Sequence, residues 1–103
     1  MNPERVKLLE QYMNQEPSDP FPIYLLALEL VNAEPHRSEV LFDILIEFHS
    51  DYLATYYQAG QLAIASGNLP KAKEILKVGI EKASSAKDQK ASSELASLLE
   101  GIE

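Results

Sequence analysis

Two stretches of the chain decide the fold: residues 19–27 read DPFPIYLLA, and residues 51–60 read DYLATYYQAG. Each begins with an aspartate and continues into a mostly apolar run that contains tyrosine. When Ala27 is aligned with Gly60, the two small residues lie 33 positions apart, and Tyr24 then matches Tyr57. Self-similarity at a fixed period of this length is typical of proteins built from stacked repeats.

The repetition continues downstream of both stretches. At a spacing of 34, Ser38, Phe42 and Leu45 match Ala72, Leu76 and Gly79. The one-residue difference between the two spacings falls in the turn near Pro35, where a deletion is tolerated. The repeated unit therefore contains two elements and the turn that joins them.

Proline, glycine and capping residues divide the chain into six predicted helices. Asparagine or aspartate followed by proline is a helix-start signal, and Asn2 with Pro3 and Asp19 with Pro20 both fit it. Prolines at 17, 20 and 22 end the first helix, because proline cannot donate to a continuing ladder. Turns of two to five residues would join the helices. We therefore expect an all-α antiparallel array.

The segment 39–48 is ambiguous by pattern alone. With period two, Val40, Phe42, Ile44, Ile46 and Phe48 line one face of a strand. With period 3.6, an apolar stripe forms on a helix instead, made of Leu41, Ile44, Leu45 and Phe48. A lone strand between helices would have no pairing partner, so we predict a helix.

Five residues are assigned to helix ends and crossings. Asp51 is predicted to cap the fourth helix, and Gly67 to adopt the left-handed conformation after that helix ends. Ser85 and Asp88 resemble a capping box before the sixth helix. Gly79 lies within the fifth helix, where glycine costs about 1 kcal/mol relative to alanine. We expect another backbone to approach it closely.

These features resemble the tetratricopeptide repeat family, whose helix–turn–helix unit has 34 residues. Gly60 occupies the family's small position for close helix crossing, and residues 67–69 resemble its turn within the repeat. Ala72, Leu76 and Gly79 fit its small–large–small packing positions. The sequence departs from the pattern at Tyr56 and Ile23, where the family has tryptophan, and at Ser84, where it has proline.

The resemblance implies one domain over residues 1–103. Residues 1–18 would form a degenerate N-terminal helix, 19–51 the first repeat, 52–84 the second, and 85–103 a C-terminal capping helix. Terminal elements with a polar outer face keep such arrays soluble.

Composition excludes several classes of function. The chain has no cysteine, so it has no disulfides and no thiolate sites. Its net charge of −7 has the wrong sign for binding nucleic acid or an anionic membrane. No apolar run is long enough to span a membrane, and residues 1–5 do not begin a signal peptide. We expect a cytoplasmic protein.

No set of residues predicts catalysis or a cofactor. His36 and His49 would lie about 20 Å apart on one helix, too far to share a metal. Glu39, Asp43 and Glu47 recur every four residues, as expected for the solvated edge of a helix. We therefore expect no enzyme activity, no metal and no cofactor.

The resemblance also implies a function, because first helices in this family line a concave groove that receives a peptide. The residues that correspond by register are Tyr24, Leu28, Val31, Tyr57, Gln61 and Ile64. Between residues 8 and 70 there are nine acids and one base, Arg37, which favours a basic or neutral partner segment. The alternative is a homodimer that buries this groove or the apolar first helix.

Overall fold

A computed structural model describes the whole chain, residues 1–103, and it contains six α-helices and no strand. This confirms the predicted all-α helical array. The helices are α1 (Pro3–Gln15), α2 (Pro20–Leu30), α3 (Pro35–Phe48), α4 (Ala54–Ala65), α5 (Leu69–Ser85) and α6 (Gln89–Glu100). They pack as two compact units, unit 1 (Met1–Tyr52) and unit 2 (Leu53–Glu103). No helix is long and apolar enough to cross a membrane.

In unit 1, α2 packs against both α1 and α3. The Asn2 side chain caps α1 by accepting from the N–H groups of Glu4 and Arg5, each at 3.1 Å. Asp19 caps α2 in the same way, accepting from the Phe21 N–H at 3.0 Å. These caps satisfy N–H groups that have no partner within their helix, and they confirm both predicted helix starts.

The ambiguous segment is helical, since α3 runs from Pro35 to Phe48. Leu41, Phe42 and Leu45 are buried along its inner face. The inclusion of Phe48 in the buried stripe was wrong, because its residue surface is 70% exposed. Phe48 is the last residue of α3, about one turn beyond Leu45, the last buried residue of that helix.

Ser38 ties α3 to the end of α2. Its hydroxyl is fully buried and donates to the Ala27 carbonyl oxygen at 2.7 Å. Ala27 is among the last four residues of α2, whose carbonyls have no regular partner within the helix. Ser38 thus satisfies a buried acceptor that a hydrocarbon side chain would leave without a partner.

In unit 2, α5 packs against α4 and α6, and two glycines allow these contacts. A Cβ atom on Gly60 would lie 2.7 Å from Leu76 Cδ2. A Cβ on Gly79 would lie 2.6 Å from Tyr56 Cβ and 3.0 Å from Leu95 Cδ1. The close approach expected at Gly79 is present, but two side chains make it, and the expectation of a backbone neighbour was wrong.

The two turns of unit 2 have the same hydrogen-bond pattern. After α4, Asn68 N–H donates to the Ala63 carbonyl at 2.9 Å, and Gly67 has φ +80° as predicted. After α5, Asp88 N–H donates to the Ala83 carbonyl at 2.9 Å, and Lys87 has φ +59°. Both are Schellman motifs, but only the first has glycine at the left-handed position.

Two predicted caps were wrong. Ser85 is the last residue of α5, and Asp88 alone caps α6, accepting from the Ala91 N–H at 3.0 Å. The N-cap position of α4 is Leu53, which makes no side-chain capping bond, so Asp51 lies before that position. In both cases the turn extends two or three residues further than the sequence pattern indicated.

Buried positions recur along the chain at the spacings that the sequence repeats. The buried residues of α2, at 22, 23, 26, 27 and 30, correspond after 33 residues to those of α4, at 55, 56, 59, 60 and 63. The buried residues of α3, at 38, 41, 42 and 45, correspond after 34 residues to 72, 75, 76 and 79 in α5. The same faces are therefore turned inward in both helix pairs. The repeat boundaries stay a prediction.

Candidate partner-binding surface

The predicted binding residues form two stripes, one on α2 and one on α4. The α2 stripe is Tyr24, Leu28 and Val31, and the α4 stripe is Tyr57, Gln61 and Ile64. Each follows an i, i+4, i+7 spacing, which places its members on one helix face. Gln61 is exposed and the other five are half-buried, so none belongs to the buried core.

The α4 stripe lies beside a core residue of the same type. Tyr56 is fully buried and its Cβ faces the position of Gly79, whereas Tyr57 is half-buried. Adjacent helix positions point about 100° apart, so one tyrosine can fill the core while the next reaches the surface. Of these two adjacent tyrosines, Tyr56 therefore belongs to the core and Tyr57 is partly accessible.

The α2 stripe is supported at one end by a second aromatic ring. The rings of Tyr24 and Tyr52 lie 5.5 Å apart between centroids and are tilted by 57°. This is a favourable distance for aromatic pairs. Burial and, second, the nearby Asp19 carboxylate raise the pKa of the Tyr52 phenol, which therefore stays neutral at pH 7. Sequence reasoning missed Tyr52, because it lies in the loop after α3 with no periodic pattern around it.

Leu28, the middle residue of the α2 stripe, lines a shallow cleft together with residues of α1. Leu8 and Leu25 line the same cleft, and the Arg5–Glu29 ion pair, 2.9 Å long, borders it. The Asn2 N–H also donates to Glu29, at 3.0 Å. This hydrogen bond and the Arg5 guanidinium lower the pKa of the Glu29 carboxyl. Glu29 thus remains an anion that holds the start of α1 against the end of α2.

The other charged residues do not form a reactive cluster. His36 lies in the first turn of α3 and His49 directly follows that helix. Arg37 pairs with Glu10 at 2.6 Å and lies 3.9 Å from Glu34. No group of three or more histidine, aspartate or glutamate side chains is placed to hold a metal ion. The expectation that the protein needs no metal stays a prediction.

Comparison with solved structures identifies relatives of the whole fold. A tetratricopeptide repeat domain protein from Salinibacter ruber, solved by NMR, has 35% sequence identity to this chain and a TM-score of 0.79. The match covers 84% of this chain and 89% of that one. The chain belongs to the tetratricopeptide repeat family. A crystal structure of a tetratricopeptide repeat domain protein from the same organism agrees, at 36% identity and a TM-score of 0.76, covering 82% of this chain and all of the other.

Comparisons with protein-family profiles and with curated proteins gave no match. Membership thus rests on the two tetratricopeptide structures, and the resemblance drawn from Gly60, Ala72 and Gly79 is confirmed. The tetratricopeptide fold is suited to a scaffold for protein–protein interaction and is typically non-catalytic.

Proposed function

We propose that this tetratricopeptide protein is a non-catalytic scaffold that binds a peptide or protein segment through the α2 and α4 stripes. The observation that carries the proposal is the incomplete burial of all six stripe residues on two helices that are otherwise strongly apolar. Tyrosine and leucine at accessible positions supply large contact areas, and Tyr57 and Gln61 add polar groups. The partner would be basic or neutral, since unit 1 holds ten acids and three bases.

Charge and the placement of titratable residues bear on location, on other classes of partner and on cofactors. We propose a cytoplasmic protein that binds neither nucleic acid nor membrane, because its net charge of −7 repels both. We propose that it acts without metal or cofactor. The two histidines lie at opposite ends of α3, and the acids of α3 lie along its length without a shared cleft.

The binding test starts with peptides selected from a random library against the unaltered protein. Replacing Tyr57 and Gln61 by alanine should make the binding free energy of the selected peptides less favourable by about 2 kcal/mol or more, since aromatic residues dominate such interfaces. Unfolding stability should fall by about 1 kcal/mol or less, because neither side chain is buried. Isothermal titration calorimetry and urea denaturation measure the two quantities.

Tyr56→Ala is the matched control for this experiment. It removes a fully buried ring, so it should cost about 3–5 kcal/mol of stability. If Tyr57→Ala costs as much as Tyr56→Ala, Tyr57 is a core residue and the α4 stripe is not a binding surface. Selected peptides that bind the double variant as tightly as the unaltered protein would also contradict the proposal.

One observation favours self-association as the second candidate function. Leu8 and Tyr12 are exposed on α1, and Met1 is exposed just before that helix begins, so this end of unit 1 has uncovered apolar surface. A second copy of the chain could bury this face. Sedimentation velocity over a range of concentrations tests it: a constant monomer mass favours the peptide scaffold, whereas a dimer that Leu8→Ser dissociates favours self-association.

A further inference from the structure

Unit 1 contains a further apolar surface, which shares no residue with either stripe. It is a cleft of 790 Å³ formed by the end of α1, the following loop, the start of α2 and the end of α3. We call it the α3 cleft. The apolar side chains that line it are Met13, Pro17, Ile23, Ile44 and Phe48.

Phe48 and Val40 are exposed on the same outer face of α3 as Ile44. They lie at i, i+4 and i+8, and Val40 and Phe48 are 57% and 70% exposed. No other large apolar residue is as exposed as Phe48. A phenylalanine that stays largely in water contributes little burial energy to the folded state. Folding of unit 1 therefore gains little from this side chain.

The corresponding face in unit 2 is polar. At the spacing of 34 residues, Val40 corresponds to Glu74 and Phe48 to Lys82, while Ile44 corresponds to Val78. The fold thus accepts charged residues at both outer positions. The helical framework itself therefore does not require apolar residues at Val40 and Phe48.

Three acidic residues are sequence neighbours of residues that line the α3 cleft. Glu16 precedes Pro17, Asp19 begins α2, and Glu47 precedes Phe48. None of the three is a member of the ion pairs that join Arg5 to Glu29 and Arg37 to Glu10 and Glu34. Glu16 accepts a hydrogen bond from the Ser18 hydroxyl, and Asp19 accepts one from the Phe21 N–H. The one basic residue between positions 8 and 70 is Arg37, at the opposite end of α3, where it pairs with Glu10.

We propose that the α3 cleft docks an amphipathic helix whose apolar side chains are flanked by lysine or arginine. A large aliphatic side chain would enter between Ile44 and Phe48, and the basic residues would face Glu16, Asp19 and Glu47. An apolar groove with an acidic border is complementary to such a helix. The same face of a second copy would bring like charges together, which disfavours it as the occupant.

The probe for this proposal is a fluorescent amphipathic helical peptide of leucine and lysine. Amide NMR shifts on titration should concentrate at residues 13–18, at Ile23 and at residues 44–49, and the α4 stripe should not respond. Phe48→Ser should weaken binding about tenfold or more, because a central aromatic contact is lost. Phe21→Ser is the matched control. It removes a phenylalanine of comparable exposure, 52%, that does not line the cleft, so affinity should stay within about twofold.

A second variant tests charge independently of packing. The double variant Glu16→Gln with Glu47→Gln should bind the peptide more weakly at low salt, and its affinity should depend less on salt concentration. Glu100→Gln with Glu103→Gln, which removes two acids from unit 2, should leave the salt dependence unchanged. A peptide of leucine and glutamate should not bind.

Three outcomes would overturn the proposal. The first is unchanged affinity in Phe48→Ser with the melting temperature preserved. The second is a set of NMR shifts confined to the two stripes, which would assign the peptide to the proposed scaffold site. The third is concentration-dependent dimerisation that Phe48→Ser abolishes, which would identify a second copy as the occupant.

Discussion

The two units bury the same helix positions but fill them with different side chains. In unit 1, Ile23 and Leu45 occupy positions that in unit 2 hold Tyr56 and Gly79. Likewise, the leucines of α2 at 26 and 30 correspond to alanines at 59 and 63 in α4. In unit 2, the larger Tyr56 is thus accompanied by glycine and alanine at positions where unit 1 has leucine. Close packing is therefore kept by total volume and complementary shape, and no single position dictates its residue.

The surfaces of the two units differ more than their cores. Unit 1 has ten acids and three bases, whereas unit 2 has six of each, so unit 1 accounts for the whole net charge of −7. All the exposed large apolar side chains except Leu69 are also in unit 1. Acidic charge and exposed apolar area together favour recognition of basic amphipathic partners. The two units thus differ mainly in charge and in exposed apolar area, both of which are concentrated in unit 1.

Gly79→Ala tests whether unit 2 depends on its small residues, and it should have the largest effect. The new Cβ would lie 2.6 Å from Tyr56 Cβ, so α4 and α5 must move apart. Overpacking of this kind costs about 3 kcal/mol, and the better helix propensity of alanine returns about 1 kcal/mol. We expect a net loss of about 2 kcal/mol in urea denaturation.

Gly101→Ala is the matched control, because its Cβ would lie 3.4 Å from the Leu98 carbonyl oxygen, an ordinary contact distance. Its stability should change by about 0.5 kcal/mol or less. If both substitutions lowered the stability equally, the loss would come from the backbone freedom of glycine. The close contact between α4 and α5 at Gly79 would then not be the cause.

Ser38→Ala makes unit 1 resemble unit 2, where Ala72 is the corresponding residue. The variant removes the hydroxyl that donates to the buried Ala27 carbonyl, so stability should fall by about 1.5 kcal/mol. Thermal unfolding measures the loss. Ser38→Thr, which keeps the hydroxyl, should retain the hydrogen bond, and a loss with threonine but not with alanine would show that volume decides.

Lys87→Gly makes the two turns of unit 2 alike and should have the smallest effect. Lys87 adopts φ +59°, a conformation that costs a non-glycine residue about 1–2 kcal/mol, whereas Gly67 adopts its φ of +80° freely. Glycine loses more backbone entropy on folding, so the net gain should be about 0.5–1 kcal/mol. Thermal unfolding should show a higher Tm, and a lower one would mean that the lysine side chain stabilises the turn.

Much of the fold was predictable because its signals are local. Asn2, Asp19 and Gly67 mark helix ends through their own backbone and side-chain chemistry, and the structure agrees with all three. The helical period of α3 could not be read from its apolar pattern, since Val40 and Phe48 fit a strand equally well. The lack of a second strand to pair with favoured the helix, which the structure confirms.

What sequence reasoning missed depends on contacts between helices and on unusual backbone. No local pattern indicates that the Ser38 hydroxyl reaches Ala27, or that Tyr52 lies against Tyr24. A lysine at a left-handed position gives no signal either, which is why the start of α6 was placed too early. Of the predicted binding residues, accessibility is seen in the structure, whereas their contact with a partner stays a prediction.

The packing of helices on their neighbours in sequence has a consequence for how the chain folds. In each unit the main contacts join α1 to α2, α2 to α3, α4 to α5 and α5 to α6. Such contacts close only short loops, so little chain entropy is lost before they form. Proteins of low contact order fold within microseconds to milliseconds. Each unit can thus complete its core rapidly, and the apolar faces that form the core are exposed to aggregation only briefly.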